Sequence, residues 1–203
     1  RTAFSLRSAQ LGIVLSLSKS LSFFLIPILP ILFVQELGWS EEGFNATKGG
    51  LLVLILMSGY IVGGQLGKIF GGKAIIIYST LAMAMISIFW ASTESLWENR
   101  IFLVSIWSIH TFCQGIAYIN IFSLMMKITW PEVGGTQFTA YMAMMNLSAV
   151  IGYSLTEPFA KRFDYSSMIL LGAVLESIII LCVMFIDPDE TRRVLGTGTT
   201  EKS

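Results

Sequence analysis

Three ionisable residues, Lys19, His110 and Glu176, lie inside long apolar segments of this chain. A charged side chain at membrane depth is costly, so such residues often mark solute or proton pathways. Lys19 could attract an anionic solute or pair with a carboxylate, or extend its ammonium to the nearer headgroups. His110 could carry a proton near neutral pH or bond a neighbouring helix. Glu176 could take part in proton coupling, meet a polar partner or lie at a subunit interface.

The apolar segments around these residues predict a membrane-spanning scaffold. A bilayer core of about 30 Å is crossed by about 20 apolar helical residues, and the chain has six such stretches. We predict spans at residues 10–33, 46–70, 73–92, 101–126, 136–159 and 167–186. The mean hydropathy of +0.73 and the 13% of charged residues agree with them. The predicted fold class is therefore all-α, a polytopic membrane protein with a six-helix transmembrane bundle.

Polar segments flank the predicted bundle. We divide the chain into a cytoplasmic leader or inter-half linker at residues 1–9, the bundle at residues 10–186 and a polar cytoplasmic tail at residues 187–203, which we expect to be disordered. The chain begins at Arg1 rather than Met, so we expect it to be a piece of a longer polypeptide.

The distribution of basic residues predicts the orientation. Six spans place both termini on one side, and an odd number would need a re-entrant segment. The terminal side carries more Lys and Arg than the opposite side, so the positive-inside rule predicts cytoplasmic termini. Its basic residues are Arg1, Arg7, Lys68, Lys73, Lys127, Arg192, Arg193 and Lys202, against Lys48, Arg100, Lys161 and Arg162 opposite.

Glycine and proline predict how two of the spans pack. Gly59, Gly63 and Gly67 recur every fourth residue and would let another helix approach closely, so we interpret them as helix-packing residues. Pro27 and Pro30 interrupt the first span and predict either a packing bend or a gating hinge there.

The fifth span carries two polar stripes at helical spacing. Thr139, Asn146 and Tyr153 form one stripe, and Gln137 and Tyr141 belong to the other. A helix with this much polarity is not expected to face lipid on those sides.

Several functional classes find no support in the sequence. A net charge of zero leaves no basic surface for nucleic acid. The single histidine and the two cysteines form no metal-ligand cluster, and no P-loop, HExxH, nucleophile motif or dinucleotide fingerprint is present. We therefore expect no enzyme activity, no catalytic residue, no cofactor and no metal.

Two segments resemble the AmpG-like muropeptide permeases of the major facilitator superfamily. Residues 37–67, LGWSEEGFNATKGGLLVLILMSGYIVGGQLG, resemble the loop and eighth helix of that family, with Thr47-Lys48 in the place of its Asn-Lys pair. Residues 134–160, GGTQFTAYMAMMNLSAVIGYSLTEPFA, resemble the eleventh helix, whose opening is matched by Thr136, Gln137 and Phe138. The resemblance implies that the six spans are the C-terminal half of a twelve-helix major facilitator fold.

The chain also departs from that family pattern. Ser22 stands where an aspartate follows the lysine of the first span, and His110 stands where the tenth helix often has a glutamate. An arginine of the eleventh helix is replaced by apolar residues near Val150 or Ile151. Three alternatives follow, namely coupling through His110, a different substrate, or loss of transport.

The main functional hypothesis is half of a secondary active transporter in a bacterial inner membrane. It would move a small polar or anionic solute by proton-linked alternating access, and the resemblance implies a muropeptide-like peptide-sugar. The expected partners are the lipid bilayer, the solute, and a second six-helix half or another membrane subunit. The alternative is a non-transporting structural subunit of a larger membrane complex. The expected solute-binding residues are Lys19, Lys48, Gln114, Gln137, Tyr141 and Asn146, and those expected to couple protons are His110 and Glu176.

Overall fold

The computed structural model of the protein describes residues 2–196 and contains no strand among them. Six long helices, α1 to α6, run over Arg7–Ser18, Leu52–Phe70, Gly72–Ser92, Arg100–Ile128, Gly134–Ser154 and Tyr165–Phe185. The predicted all-α class is confirmed.

Shorter helical turns extend the first two spans. After α1 the chain continues through a 3-10 helix at Leu21–Leu25, a turn at Ile28–Pro30 and a π-helix at Ile31–Glu36. The helix Glu41–Ala46 and the π-helix Thr47–Leu51 lead directly into α2. Counted together with these turns, the first two helical segments run over Arg7–Glu36 and Glu41–Phe70. Both are longer than the spans predicted from the sequence.

Five helical segments of the described chain are long and apolar enough to cross a membrane. The sixth, α5, has 21 residues, and at about 1.5 Å per residue it is also long enough to cross. Helix α5 is not one of these five segments, because its two polar stripes lower its mean hydropathy. A short helix at Thr156–Ala160 follows it, so the predicted single span at residues 136–159 is divided in two.

The first span breaks earlier than its prolines. Helix α1 ends at Ser18, whereas Pro27 and Pro30 lie beyond the following 3-10 helix. The backbone N–H of Ser20 donates to Ser148 Oγ at 3.1 Å and so leaves the helical pattern. Gly152 provides the space, because a Cβ there would lie 2.6 Å from the Ser20 carbonyl oxygen. The break in the first span therefore depends on its contacts with α5, which packs against it.

The helix pairs repeat after three spans. Helix α2 packs on α4, α3 packs on α4 and on α6, and the first span packs on α5 and α6. Exchanging the first three spans for the last three leaves these five pairs unchanged, whereas the further contact between α2 and α3 has no strong counterpart between α5 and α6. Such a three-plus-three internal repeat is typical of one six-helix half of a major facilitator fold.

Glycines lie where α2 and α4 approach each other. A Cβ at Gly59 would lie 2.5 Å from the Phe112 carbonyl oxygen, and one at Gly63 would lie 2.7 Å from Ile116 Cα. Gly67 faces Asn120 Oδ1, and Asn120 Nδ2 donates to the Gly63 carbonyl at 2.9 Å. Because glycine has no side chain, the backbones of α2 and α4 can approach each other directly here.

The two described ends of the chain meet at one end of the bundle. Ser8 Oγ donates to the Asp187 carbonyl at 3.0 Å, and Ser8 N donates to Glu190 Oε2 at 2.7 Å. An even number of crossings fits this arrangement, and an odd number does not.

The polar tail is ordered over part of its length. Residues Glu190–Leu195 form an α-helix, and Thr191 Oγ1 donates to the Ile128 carbonyl at 2.8 Å. The expected disorder is wrong for this stretch because hydrogen bonds to α1 and α4 hold it. Residues 197–203 of the predicted tail lie outside the described residues.

Candidate functional site

A cavity of about 250 Å³ lies between the first span and helices α2, α3, α4 and α6. Four of the residues singled out from the sequence line it, namely Lys48, His110, Gln114 and Glu176. Hydroxyl groups of Ser22, Ser87 and Thr111 and the indoles of Trp90 and Trp107 complete much of the wall. The cavity is therefore mostly apolar, with a few polar groups that could orient a ligand.

Glu176 of α6 is the acidic residue of this cavity, and its side chain is mostly buried. Its Oε1 accepts a hydrogen bond from Ser22 Oγ at 2.9 Å. Its Oε2 lies 3.6 Å from His110 Nε2 and accepts no hydrogen bond from residues 2–196. Because a buried carboxylate oxygen without a donor is costly, Oε2 is available to a ligand that carries a hydrogen-bond donor.

A row of polar residues follows α4 away from this carboxylate. His110, Gln114 and Tyr118 are spaced four residues apart and share one helix face. Gln114 Nε2 donates to Tyr118 Oη at 3.0 Å. The Lys19 ammonium lies 3.5 Å from the centroid of the Tyr118 ring, a cation–π contact. The row therefore connects the cavity to the buried lysine of the first span.

Lys19 is 6% exposed, so its side chain does not extend to the headgroups in this conformation. It does not line the cavity, and its ammonium lies over the Tyr118 ring. The Glu176 carboxylate is near enough to interact electrostatically with the ammonium. Lys19 thus contributes positive charge behind the cavity wall rather than a direct contact surface.

Lys48 reaches the cavity from the π-helix Thr47–Leu51 and is half-buried. Its ammonium lies 5.6 Å from the Phe44 ring centroid. It also lines a separate groove, of about 260 Å³, formed with Pro30 and Glu41 next to the π-helix of the first span. Short π-helical turns often occur at functional sites, because they change which side chains face a neighbour.

Gln137 and Tyr141 do not line this cavity. Both are 0% exposed, and their polar atoms bond within the chain. Gln137 Oε1 accepts from the Trp130 backbone N–H at 2.9 Å, and its Nε2 donates to Tyr141 Oη at 2.9 Å. Tyr141 Oη in turn donates to the Ala9 carbonyl at 3.5 Å. The two residues expected to bind solute instead tie α5 to α1 and to the loop before α5.

Asn146 does not line this cavity either, and it lies on the side of α5 opposite Gln137 and Tyr141. It is exposed, as are Thr139 and Tyr153 of the same predicted stripe. The other stripe, which contains Gln137 and Tyr141, is buried against the first span. The two stripes thus divide α5 into a packed polar face and an outward polar face.

Several polar and aromatic residues of the cavity were not among the expected site residues, including Ser22, Ser87, Trp90 and Trp107. Trp107 precedes His110 by three residues on α4, and this helical spacing was the available signal. For Ser22 the signals were its place one turn after Lys19 and the aspartate that the resembled family has there.

Two curated bacterial proteins are similar to this chain, and both carry the name dipeptide and tripeptide permease B. The protein from Shigella dysenteriae serotype 1 is 30% identical over 146 residues, which is 68% of this chain and 28% of the relative. The protein from Yersinia enterocolitica serotype O:8 is 28% identical over 145 residues, again 68% of this chain and 28% of the relative. The chain thus spans less than a third of the length of these relatives.

No protein-family profile and no solved structure matches the chain. The particular resemblance to muropeptide permeases stays a prediction. The chain is an all-α membrane protein that is similar to part of the bacterial peptide permeases.

Proposed function

We propose that this chain is one half of a secondary transporter for small polar solutes in a bacterial inner membrane. The cavity formed by Lys48, His110, Gln114 and Glu176 would hold the solute, and alternating access would expose it to each side in turn. The observation that carries the proposal is that side chains from five separate spans converge on one mostly apolar cavity. The names of the two relatives support a permease.

A short peptide is the solute class that the cavity chemistry suits best. An amino group could donate to Glu176 Oε2, which has no donor among the described residues. A carboxylate could be attracted by the Lys48 ammonium, and Gln114 could bond an amide. The volume of about 250 Å³ lies just below the usual range for ligand sites, about 300–1,000 Å³. A larger peptide-sugar would need space contributed by a partner bundle.

Proton linkage would use His110 and Glu176. Their side-chain atoms are 3.6 Å apart, so a proton on His110 strengthens its attraction to the carboxylate. A solute amine that binds Glu176 competes with that attraction. Solute binding and proton binding would therefore both change the contact between α4 and α6. Such a shared contact is what coupling requires.

A partner bundle would cover the outward face of α5. Thr139, Asn146 and Tyr153 would be poorly solvated in lipid, whereas a second six-helix half could bond them or share water with them.

With both termini on the side richer in Lys and Arg, the termini would be cytoplasmic.

Uptake into proteoliposomes under an imposed pH gradient tests this function. The panel contains a labelled dipeptide, the same dipeptide with its carboxylate esterified, and a peptide-sugar. We expect Glu176→Gln to abolish gradient-driven dipeptide uptake. We expect Lys48→Gln to raise KM for the dipeptide more than for its ester, because only the free carboxylate loses a cation. Lys68→Gln, an exposed lysine outside the cavity, is the control.

Two results would contradict the proposal. Full gradient-driven uptake by both cavity variants would exclude these residues as the site. No uptake of any solute by the chain reconstituted together with its partner half would instead favour a structural subunit. Uptake of the peptide-sugar in preference to the dipeptide would assign the substrate to the muropeptide class.

A further inference from the structure

A second groove, of about 380 Å³, opens at the end of the bundle where the two described chain ends meet. One wall is the last turn of α4, with Met126 and Lys127. The other is the terminal helix Glu190–Leu195, with Arg192, and the connection at Thr129 and Pro131 closes the groove. The solute cavity shares no lining residue with it.

Both cations of this groove are uncompensated. Lys127 and Arg192 are exposed, and within residues 2–196 neither forms an ion pair or a hydrogen bond. Of the acids near the groove in sequence, Asp187 pairs with Arg193 at 2.7 Å and Glu190 accepts from the Ser8 backbone N–H at 2.7 Å. Glu132 and Asp189 lie outside the lining of the groove and form no ion pair within residues 2–196. The groove therefore presents two positive charges without an acidic residue in its lining.

Both walls of the groove are fixed by hydrogen bonds. Thr191 Oγ1 donates to the Ile128 carbonyl at 2.8 Å and holds the terminal helix on α4. Thr129 Oγ1 donates to the Met125 carbonyl at 2.7 Å and holds the start of the connection. Because these bonds fix the backbones of the two walls, a ligand between them would have to order only the Lys127 and Arg192 side chains.

The groove lies at the last turn of α4, a helix long and apolar enough to cross a membrane, so a bilayer spanned by α4 would have its headgroups beside the groove. Met126, on the neighbouring turn of α4, is 59% exposed and gives the groove an apolar edge. A ligand here would meet cations at headgroup depth and an apolar side chain beside them.

We propose that this groove binds the phosphodiester of an anionic phospholipid. The Arg192 guanidinium can bond two phosphate oxygens in one plane, and the Lys127 ammonium adds a second charge from the opposite wall. Met126 then contacts the first carbons of an acyl chain. Basic pockets between helix ends on one side of a membrane protein suit such headgroups.

Native mass spectrometry of the full chain in detergent tests this site. Phosphatidylglycerol and the zwitterionic phosphatidylcholine are titrated separately, and the bound fraction gives each Kd. The variants are Lys127→Gln, Arg192→Gln and the double variant. Lys68→Gln is the matched control, because Lys68 is also an exposed lysine in the last turn of a long helix.

We expect each groove variant to weaken phosphatidylglycerol binding roughly fivefold and the double variant about thirtyfold, with phosphatidylcholine binding unchanged. Arg192→Lys should retain more affinity than Arg192→Gln. An equal loss in Lys68→Gln would show diffuse surface attraction and overturn the proposal. Displacement of the lipid by millimolar inorganic phosphate would instead identify a site for soluble phosphate, which overturns the lipid assignment. Thermal unfolding of each variant without lipid separates these outcomes from a failure to fold.

Discussion

The contact between α2 and α4 yields a prediction on Gly59→Ala, with Gly64→Ala as its control. A Cβ at Gly59 would lie 2.5 Å from the Phe112 carbonyl oxygen and 3.1 Å from Gly115 Cα. Both obstructing atoms are backbone atoms, so no side-chain rotation can relieve the clash. The helices must separate by roughly 1 Å to restore an ordinary contact of about 3.5 Å.

The magnitude follows from two opposing terms. Inserting a methyl group into a packed contact costs about 1–3 kcal/mol. Replacing glycine by alanine within a helix gains about 1 kcal/mol, and this term is common to both variants. A Cβ at Gly64 would meet nothing within 4 Å, so the control has no clash. Gly59→Ala should therefore be about 1–3 kcal/mol less stable than Gly64→Ala.

Reversible unfolding in mixed micelles titrated with sodium dodecyl sulfate measures this difference. The uptake assay supplies a second readout, because Gly59 faces the α4 turn that follows Gln114. Separation of α2 from α4 moves Lys48 relative to His110, so uptake should fall in Gly59→Ala and persist in Gly64→Ala. Equal stabilities, within the roughly 0.5 kcal/mol of neutral substitutions, would refute the packing argument.

Two further predictions concern single polar contacts and are measured by thermal unfolding in detergent. Lys73 Nζ donates to two carbonyls at the end of α6, both at 2.8 Å, so Lys73→Met should cost about 2 kcal/mol, whereas the exposed Lys68→Met should be nearly neutral. Ser148→Ala should cost about 1–3 kcal/mol, because the buried Ser20 N–H loses its acceptor. Ser154→Ala is its control, since that exposed hydroxyl bonds only its own helix. Equal effects in either pair would contradict the assignment.

The helices were largely predictable from the sequence, and the break in the first span was not. The continuous apolar runs predicted both ends of α3, α4 and α6 to within a few residues. They also predicted the end of α2, but additional helical turns precede that helix in the structure. The prolines predicted a kink near Pro27, but the chain leaves the helical pattern at Ser20. The hydroxyl that holds Ser20 belongs to Ser148, 128 residues away, and local sequence carries no record of that contact.

The lining of the candidate cavity was only partly predictable from the sequence. The cost of charge at membrane depth drew attention to His110 and Glu176, whose side chains lie 3.6 Å apart, and their functional role stays a prediction. The same argument selected Gln137 and Tyr141, which bond the chain itself. A polar residue on a predicted span shows only that a partner is required. Whether the partner is a solute or a backbone carbonyl depends on which helices become neighbours.

The place of Glu176 on α6 has a consequence for biogenesis. A polytopic chain enters the bilayer in the order of its synthesis, so Ser22 and His110 arrive in lipid before the carboxylate that later lies beside them. Until then the serine hydroxyl can bond its own backbone, and the imidazole has no carboxylate beside it. The final insertion event thus completes the polar contacts of the cavity, and an intermediate that stalls after α5 would lack them.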